Sequence, residues 1–307
     1  MRTIDAVHLG LLLAALAITY VVPFELLLLS YVVLGPAHYF TEISWLHDRK
    51  YFLPQRNVAF GLAGVAAVAA LIDNAAWFGF VIWTAFVACA LLTTTTAAQS
   101  AILTIAALAV TAIMAANGSS LAVLGILLPT LIHVSLFTLV FMMLGAYRSG
   151  SKAQALLVVV YLLAIGIILV VPPSEATQIP AFAKAGQEYF GNVGPALGRL
   201  LGIGNLRLDT RLTSLLAFVY TYHYLNWFIK ADVIRWAEIP RPRLALVVAA
   251  SAASTALYFY NYAFGFTVLL ALSLVHVVLE FPLNSLALRQ LGAAVGQGFM
   301  QQIHRRA

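Results

Sequence analysis

Apolar stretches long enough to cross a bilayer run almost end to end along this chain, and that limits its fold more than any other feature. A helix needs about 20 mainly apolar residues to span the hydrocarbon core. Ten windows approach that length: 6–22, 25–46, 57–72, 75–92, 97–116, 119–146, 153–171, 211–230, 243–260 and 262–282. Of the 307 residues, 63% are hydrophobic and 9% charged, whereas soluble domains carry about 25% charged residues. A water-soluble core of this size could not enclose so much apolar surface, so lipid has to solvate part of it. Backbone polar groups cannot stay open in lipid, and helices close them internally. The expected fold is an all-α, polytopic transmembrane helix bundle of about ten spans, a single domain over 1–307.

The basic residues set the expected orientation. With the N-terminus in the cytoplasm, the inner segments hold thirteen of the seventeen Lys and Arg. The outer ones hold Lys184, Arg199, Arg207 and Arg211. That asymmetry follows the positive-inside rule for an even number of spans, with both termini cytoplasmic. The net charge of +6 therefore reads as topology and headgroup contact, and no nucleic-acid partner is expected. The first window lacks a small-x-small cleavage site before Pro23 and reads as a span, not a leader. Cys89 is the single cysteine, which excludes an intramolecular disulfide. One long connection, 172–210, is Pro- and Gly-rich and is placed outside as a cap over the bundle. Pro282 is expected to end the tenth span. The tyrosines and phenylalanines of 258–266 read mostly as an interfacial belt.

Ionisable residues inside spans are rare and usually functional. This chain concentrates them. His38 and Glu42 lie in the second span, His133 in the sixth, His223 in the eighth, and His276 with Glu280 in the tenth. His38-x-x-x-Glu42 and His276-x-x-x-Glu280 share the i, i+4 spacing that places both side chains on one helix face. All four histidines fall in the later half of even-numbered spans, hence in the cytoplasmic leaflet. His8, near the start of the first span beside Asp5, falls at the same level. His47 and Asp48 sit at the inner end of the second span.

Imidazole with carboxylate is a donor set that suits non-haem iron. Bundles also build two-metal sites from Glu and His at helical spacing. His38, Glu42, His133, His223, His276 and Glu280 are the expected metal ligands, for one or two iron ions. The carboxylates either ligate or orient the imidazoles. Glu42 and Glu280, with Tyr222 and Asn226 on either side of His223, form the candidate catalytic set. Asn226 and Lys230 fall near the same face as His223, and Lys230 could simply snorkel to the headgroups. Gly35-Pro36 before His38 is expected to kink the second span.

The corresponding function is a metal-dependent membrane oxygenase or related oxidoreductase. Its expected partners are the lipid bilayer, a lipid-soluble small molecule such as a long apolar or polyene chain, and dioxygen. In size, architecture and four widely spaced intramembrane histidines, the chain resembles the bacterioopsin-related (Brp/Blh-like) β-carotene cleavage oxygenases of bacteria and archaea. The resemblance implies iron held by His38, His133, His223 and His276, β-carotene cleavage to retinal, and a cytoplasmic-membrane location in a bacterium or archaeon. The strings Gly-Pro-Ala-His-Tyr-Phe-Thr-Glu (35–42) and Tyr-His-Tyr-Leu-Asn-Trp (222–227), and the paired glutamates, depart from that family's pattern. The chain is unlike the membrane desaturases, whose clustered histidine boxes it lacks.

Three other readings stand beside this one. A proton- or cation-coupled transporter would use the same His and Glu as a relay. It would be expected to show a sequence repeat and polar residues staggered in depth, and neither is found. A haem-b electron carrier would use paired histidines, usually with one haem near each face. A structural membrane subunit leaves the His–Glu pairs without a role.

Overall fold

The computed structural model describes residues 3–51, 56–72, 74–116, 128–171, 208–231, 235–236 and 238–306. Every regular element among them is helical, and none is a strand. In chain order, helix α1 is Thr3–Val21 and α2 is Pro23–Arg49, with a π-helical stretch at Ser30–Leu34. Helices α3, α4 and α5 are Arg56–Ala69, Ala75–Leu92 and Ala97–Ala116. Helix α6 is π-helical over Leu128–Phe137 and α-helical over Thr138–Ser149. Helices α7 to α10 are Lys152–Val170, Leu208–Ile229, Arg241–Tyr260 and Tyr262–Arg306. Six segments are long and apolar enough to cross a membrane: Ile4–Val21, Pro23–Arg49, Leu131–Ser149, Lys152–Val170, Arg241–Tyr260 and Tyr262–Gly296. Arg56–Ala69, Trp77–Leu92 and Ala97–Ile113 are shorter apolar helices. Most of the expected outer loop, up to residue 207, lies outside the described residues.

Helix α8 is missing from both groups because it is too polar, and its position explains why. Residues Leu216 to Tyr222 are buried without interruption, as are Ser214, Tyr224 and Asn226. A helix buried on all sides is a core helix. Here α1, α2, α6 and α7 pack around α8. Those neighbours keep lipid away from its Tyr, His and Asn side chains, so α8 need not be apolar. Helix α10 is the second hub and packs on α2, α3, α4, α6 and α9. The two larger clusters of buried apolar residues lie around α8 and around α10, and α2 runs through both; a small third one joins Val140 and Leu144 of α6 to Ala287 of α10.

Two prolines inside α2 and α10 shape this framework. A proline has no N–H, so it frees the carbonyl four residues earlier, and in lipid that oxygen needs a new partner. Pro36 frees Val32, and Thr255 of α9 donates to the Val32 carbonyl at 2.9 Å. Pro282 frees Val278, and the Cys89 thiol of α4 donates to that carbonyl at 3.9 Å. With its freed oxygen satisfied, Pro282 does not end the helix. Helix α10 continues for 45 residues to Arg306, about 67 Å at the usual rise and more than twice the hydrocarbon thickness. The expected stop at Pro282 is thereby corrected.

Among the described residues, arginine side chains join helix ends at one end of the bundle. At one end of the bundle Arg243 donates to both Asp48 oxygens at 2.6 Å, and Arg148 to Gln290 at 2.7 Å. There Arg289 also reaches the Thr93 carbonyl at 2.9 Å, and Arg56 lies 3.3 Å from His47. At the other end Tyr20 donates to the Val171 carbonyl at 2.6 Å. In the α9–α10 corner, Phe259, Tyr260 and Phe264 are exposed, whereas Tyr258 is buried.

That corner also requires a glycine. A β-carbon on Gly265 would lie 2.3 Å from the Tyr258 α-carbon, well inside contact distance. Gly265→Ala should therefore force the corner apart. Thr255→Val should cost about 1 kcal/mol by leaving the Val32 carbonyl unpaired. Thermal unfolding of the detergent-solubilised protein should show both variants melting below wild type, Gly265→Ala by the larger margin.

Candidate metal centre

Four helices bring the intramembrane histidines together. In α2 the π-helical stretch and Pro36 immediately precede His38. In α6, His133 lies inside a π-helical stretch. Such stretches shift the register of side chains around the helix and recur at functional sites. His223 comes from the buried α8 and His276 from α10. Their rings close a circuit: His38 to His223 at 4.8 Å, His223 to His133 at 5.2 Å, His133 to His276 at 5.0 Å, and His276 to His38 at 4.8 Å between centroids.

The Nε2 atoms face inward. His38 Nε2 lies 3.1 Å from His223 Nε2 and 3.0 Å from Glu42 Oε2. His276 Nε2 lies 2.8 Å from the same Glu42 oxygen and 3.6 Å from Glu280 Oε2. His133 Nε2 lies 3.3 Å from Glu280 Oε2. Two triads result, His38–Glu42–His276 and His133–His276–Glu280, sharing His276. All five members are 1–2% exposed. His223 is less buried because it lines the cavity described below.

His276 and Glu42, and His38 and His223, are within hydrogen-bond distance, but the remaining contacts do not pair off. His133 Nε2 and Glu280 Oε2 are close but hydrogen-bond to nothing, and the outward Nδ1 atoms of His38, His133 and His276 are likewise unpaired. Nitrogen and oxygen donors about 2.0–2.2 Å from one ion sit roughly 3.0–3.5 Å apart at ordinary coordination angles. The inward atoms, 2.8–3.6 Å apart, lie close to that spacing. The electrostatics point the same way. Glu42 and Glu280 adjoin each other in the apolar interior, and two buried carboxylates need either a proton or a compensating cation. A divalent cation there would serve and would leave the imidazoles neutral, the form that ligates.

Several supporting side chains carry no signal in the sequence. Thr138 Oγ1 lies 2.7 Å from His223 Nδ1 and fixes that ring's direction. Thr41 accepts from the Trp227 indole at 3.0 Å, which sets Trp227 edge-on to His38. The Tyr39 and Tyr224 hydroxyls meet at 2.7 Å beside the His38 and His276 rings. Asn284, fully buried beside Glu280, did leave a trace: it continues the 276, 280 spacing by one more turn. Expecting α10 to stop at Pro282 hid it.

A cavity of about 550 Å³ opens from the cluster toward the basic end of the bundle. His38, Glu42, His223 and Glu280 line one end, and Asp5, His8 and Lys230 are also in its wall. Tyr222 and Asn226 line it too, and the Tyr222 hydroxyl and Asn226 Oδ1 have no hydrogen-bond partner. The volume falls within the usual range for small-molecule sites. Every expected site residue therefore lies in the cluster or its cavity. His47 and Asp48 instead sit on the basic face, bound to Arg56 and Arg243.

Thr138→Val should weaken divalent-ion affinity about 10- to 100-fold by freeing the His223 ring, as loss of an orienting partner commonly does. Competition against a coloured chelator on the purified protein measures this. Compared with known proteins, the chain matches no family model, no curated protein and no solved structure.

Proposed function

We propose that this protein is a metal-dependent integral-membrane oxidoreductase, an oxygenase using non-haem iron, that acts on a lipid-soluble substrate. In this reading it sits in a cytoplasmic membrane, crosses it about ten times and keeps both termini inside. The observation that carries the reading is the convergence of six donor side chains, His38, Glu42, His133, His223, His276 and Glu280, at the closed end of a mostly apolar cavity. Their mixed imidazole–carboxylate chemistry suits non-haem iron, with one ion in each triad or a single shared ion. The crowded rings, with Nε2 atoms 3.1 Å apart at His38–His223, leave no slot for a porphyrin. Six ionisable groups meet at one place, with Asp5, His8 and Lys230 farther along the cavity, and that concentration favours a reaction centre over a transport path. The four-histidine likeness to the Brp/Blh-like oxygenases supports the same iron chemistry, without carrying over their carotenoid substrate.

Each side chain then has a defined task. Held by these residues, iron would supply dioxygen activation. Glu42 spans His38 and His276 and holds both imidazoles on the interior. Glu280 does the same for His133 and His276. His223 is the ligand that faces the substrate space, and Thr138 keeps its Nε2 turned inward. The free polar atoms of Tyr222 and Asn226 are placed to orient a substrate group. Phe137, Phe141 and Trp227 keep bulk water from the cluster.

Elemental analysis and a visible spectrum of the detergent-purified protein test this. The expected result is about one or two irons per chain without a Soret band. His223→Ala should lose iron with the fold retained, His276→Ala should lose the most because both triads share it, and His304→Ala in the basic tail should lose none. A chain that holds no metal after gentle purification, or after anaerobic reconstitution, would rule the proposal out.

A further inference from the structure

The donor cluster occupies only one end of its cavity. From His223 the lining follows one face of α8 through Asn226 to Lys230, at i, i+3 and i+7. Seven residues of helix carry the wall roughly 10 Å toward the basic end of the bundle. There the rim gains Arg148 and Gln154, from either side of the α6–α7 turn, and Asp5 and His8 from the start of α1. Phe141, Met142, Leu157 and Trp227 are among the apolar side chains of the same wall. The cavity thus has a cationic rim, an apolar body and a donor cluster.

Bonding capacity along this wall is unused. Lys230 forms none of the ion pairs found among the described residues. Arg148 donates to the neutral amide of Gln290, which does not balance its charge. Asn226, 8% exposed, leaves Oδ1 unpartnered in the cavity wall, and the buried Tyr222 hydroxyl does the same one turn closer to the cluster. Among the described residues, two cations therefore face one rim carboxylate, Asp5, which has interactions of its own. Snorkelling explains a lysine whose head reaches the headgroups, but not one that helps line an internal cavity with an arginine from another helix.

We infer that the cavity binds a single-chain amphiphile with an anionic head, a carboxylate or a phosphate. The head faces Lys230 and Arg148, and the chain lies along Phe141 and Trp227 toward the histidines. A purely hydrocarbon ligand would leave the lysine charge uncompensated on desolvation, and a cationic head would be repelled. The inference names the substrate class for the proposed oxidoreductase and rests on that reading for which end of the molecule reacts. The binding itself requires no metal.

The experiment uses the full chain in neutral phosphatidylcholine nanodiscs and compares oleic acid, oleyl phosphate and oleyl alcohol by displacement of a fluorescent fatty acid. The anions should bind at least about 10-fold more tightly than the alcohol, a difference of about 1.4 kcal/mol. A larger preference for the acid identifies a fatty-acid ligand, and one for the phosphate a lysolipid-like ligand. Lys230→Gln should abolish the anion preference with alcohol affinity unchanged. Arg148→Gln, at an exposed position, should reduce it in part. Equal binding of acid and alcohol by wild type overturns the inference, as does a preference that survives both substitutions. His223→Ala separates the two proposals, because it should lose iron yet keep the anion preference.

Discussion

Burying two carboxylates side by side in an apolar bundle is the constraint on which the rest of this structure depends. Glu42 and Glu280 lie 2% exposed among four imidazoles. In a low-dielectric interior such a pair persists only with its charge compensated and its oxygens contacted. The histidines come from four helices that are far apart in the chain, so their meeting fixes how α2, α6, α8 and α10 pack. A bundle assembled mainly through apolar faces has many near-equivalent packings. A polar cluster at one junction selects among them, because every alternative would leave ionisable groups against lipid.

The helices are irregular where the cluster needs them to be. Pro36 and the π-helical stretch of α2, and the π-helical stretch of α6, lie beside or around His38 and His133. These interruptions, and Pro282 in α10, free carbonyls and rotate side chains, and the bundle supplies the compensation from elsewhere. Thr255 bonds Val32 and Cys89 bonds Val278, each from a different helix. The irregularity is thus part of a network that joins α2 to α9 and α4 to α10. It also gives the lone cysteine a structural role.

The cavity connects the cluster to the basic end of the bundle. Its wall draws on α1, α2, α6, α7 and α10 and on one face of α8, the helix too polar to face lipid and therefore placed at the centre. The same polarity sets the chemistry of the wall, with His223 at one end, Asn226 between and Lys230 at the other. The proposed oxidation and the proposed anionic ligand both draw on that one helix face.

The sequence alone carried the helical, membrane-embedded character, because apolar runs of span length admit few other folds. It also carried His38–Glu42 and His276–Glu280 as pairs, because i, i+4 spacing is local geometry. The common depth of His38, His133, His223 and His276 could be read from where each falls within its span. Whether those spans are neighbours could not, since helix packing depends on side-chain fit between segments up to 238 positions apart. Thr138, Thr41 and Tyr39 have ordinary sequence surroundings and gain meaning only from what they touch. The continuation of α10 through Pro282 was likewise hidden, since the thiol that meets the freed carbonyl belongs to Cys89, nearly two hundred residues away. Local spacing therefore named the chemical groups, and tertiary packing decided which of them meet, because only packing determines which buried polar atoms find a partner.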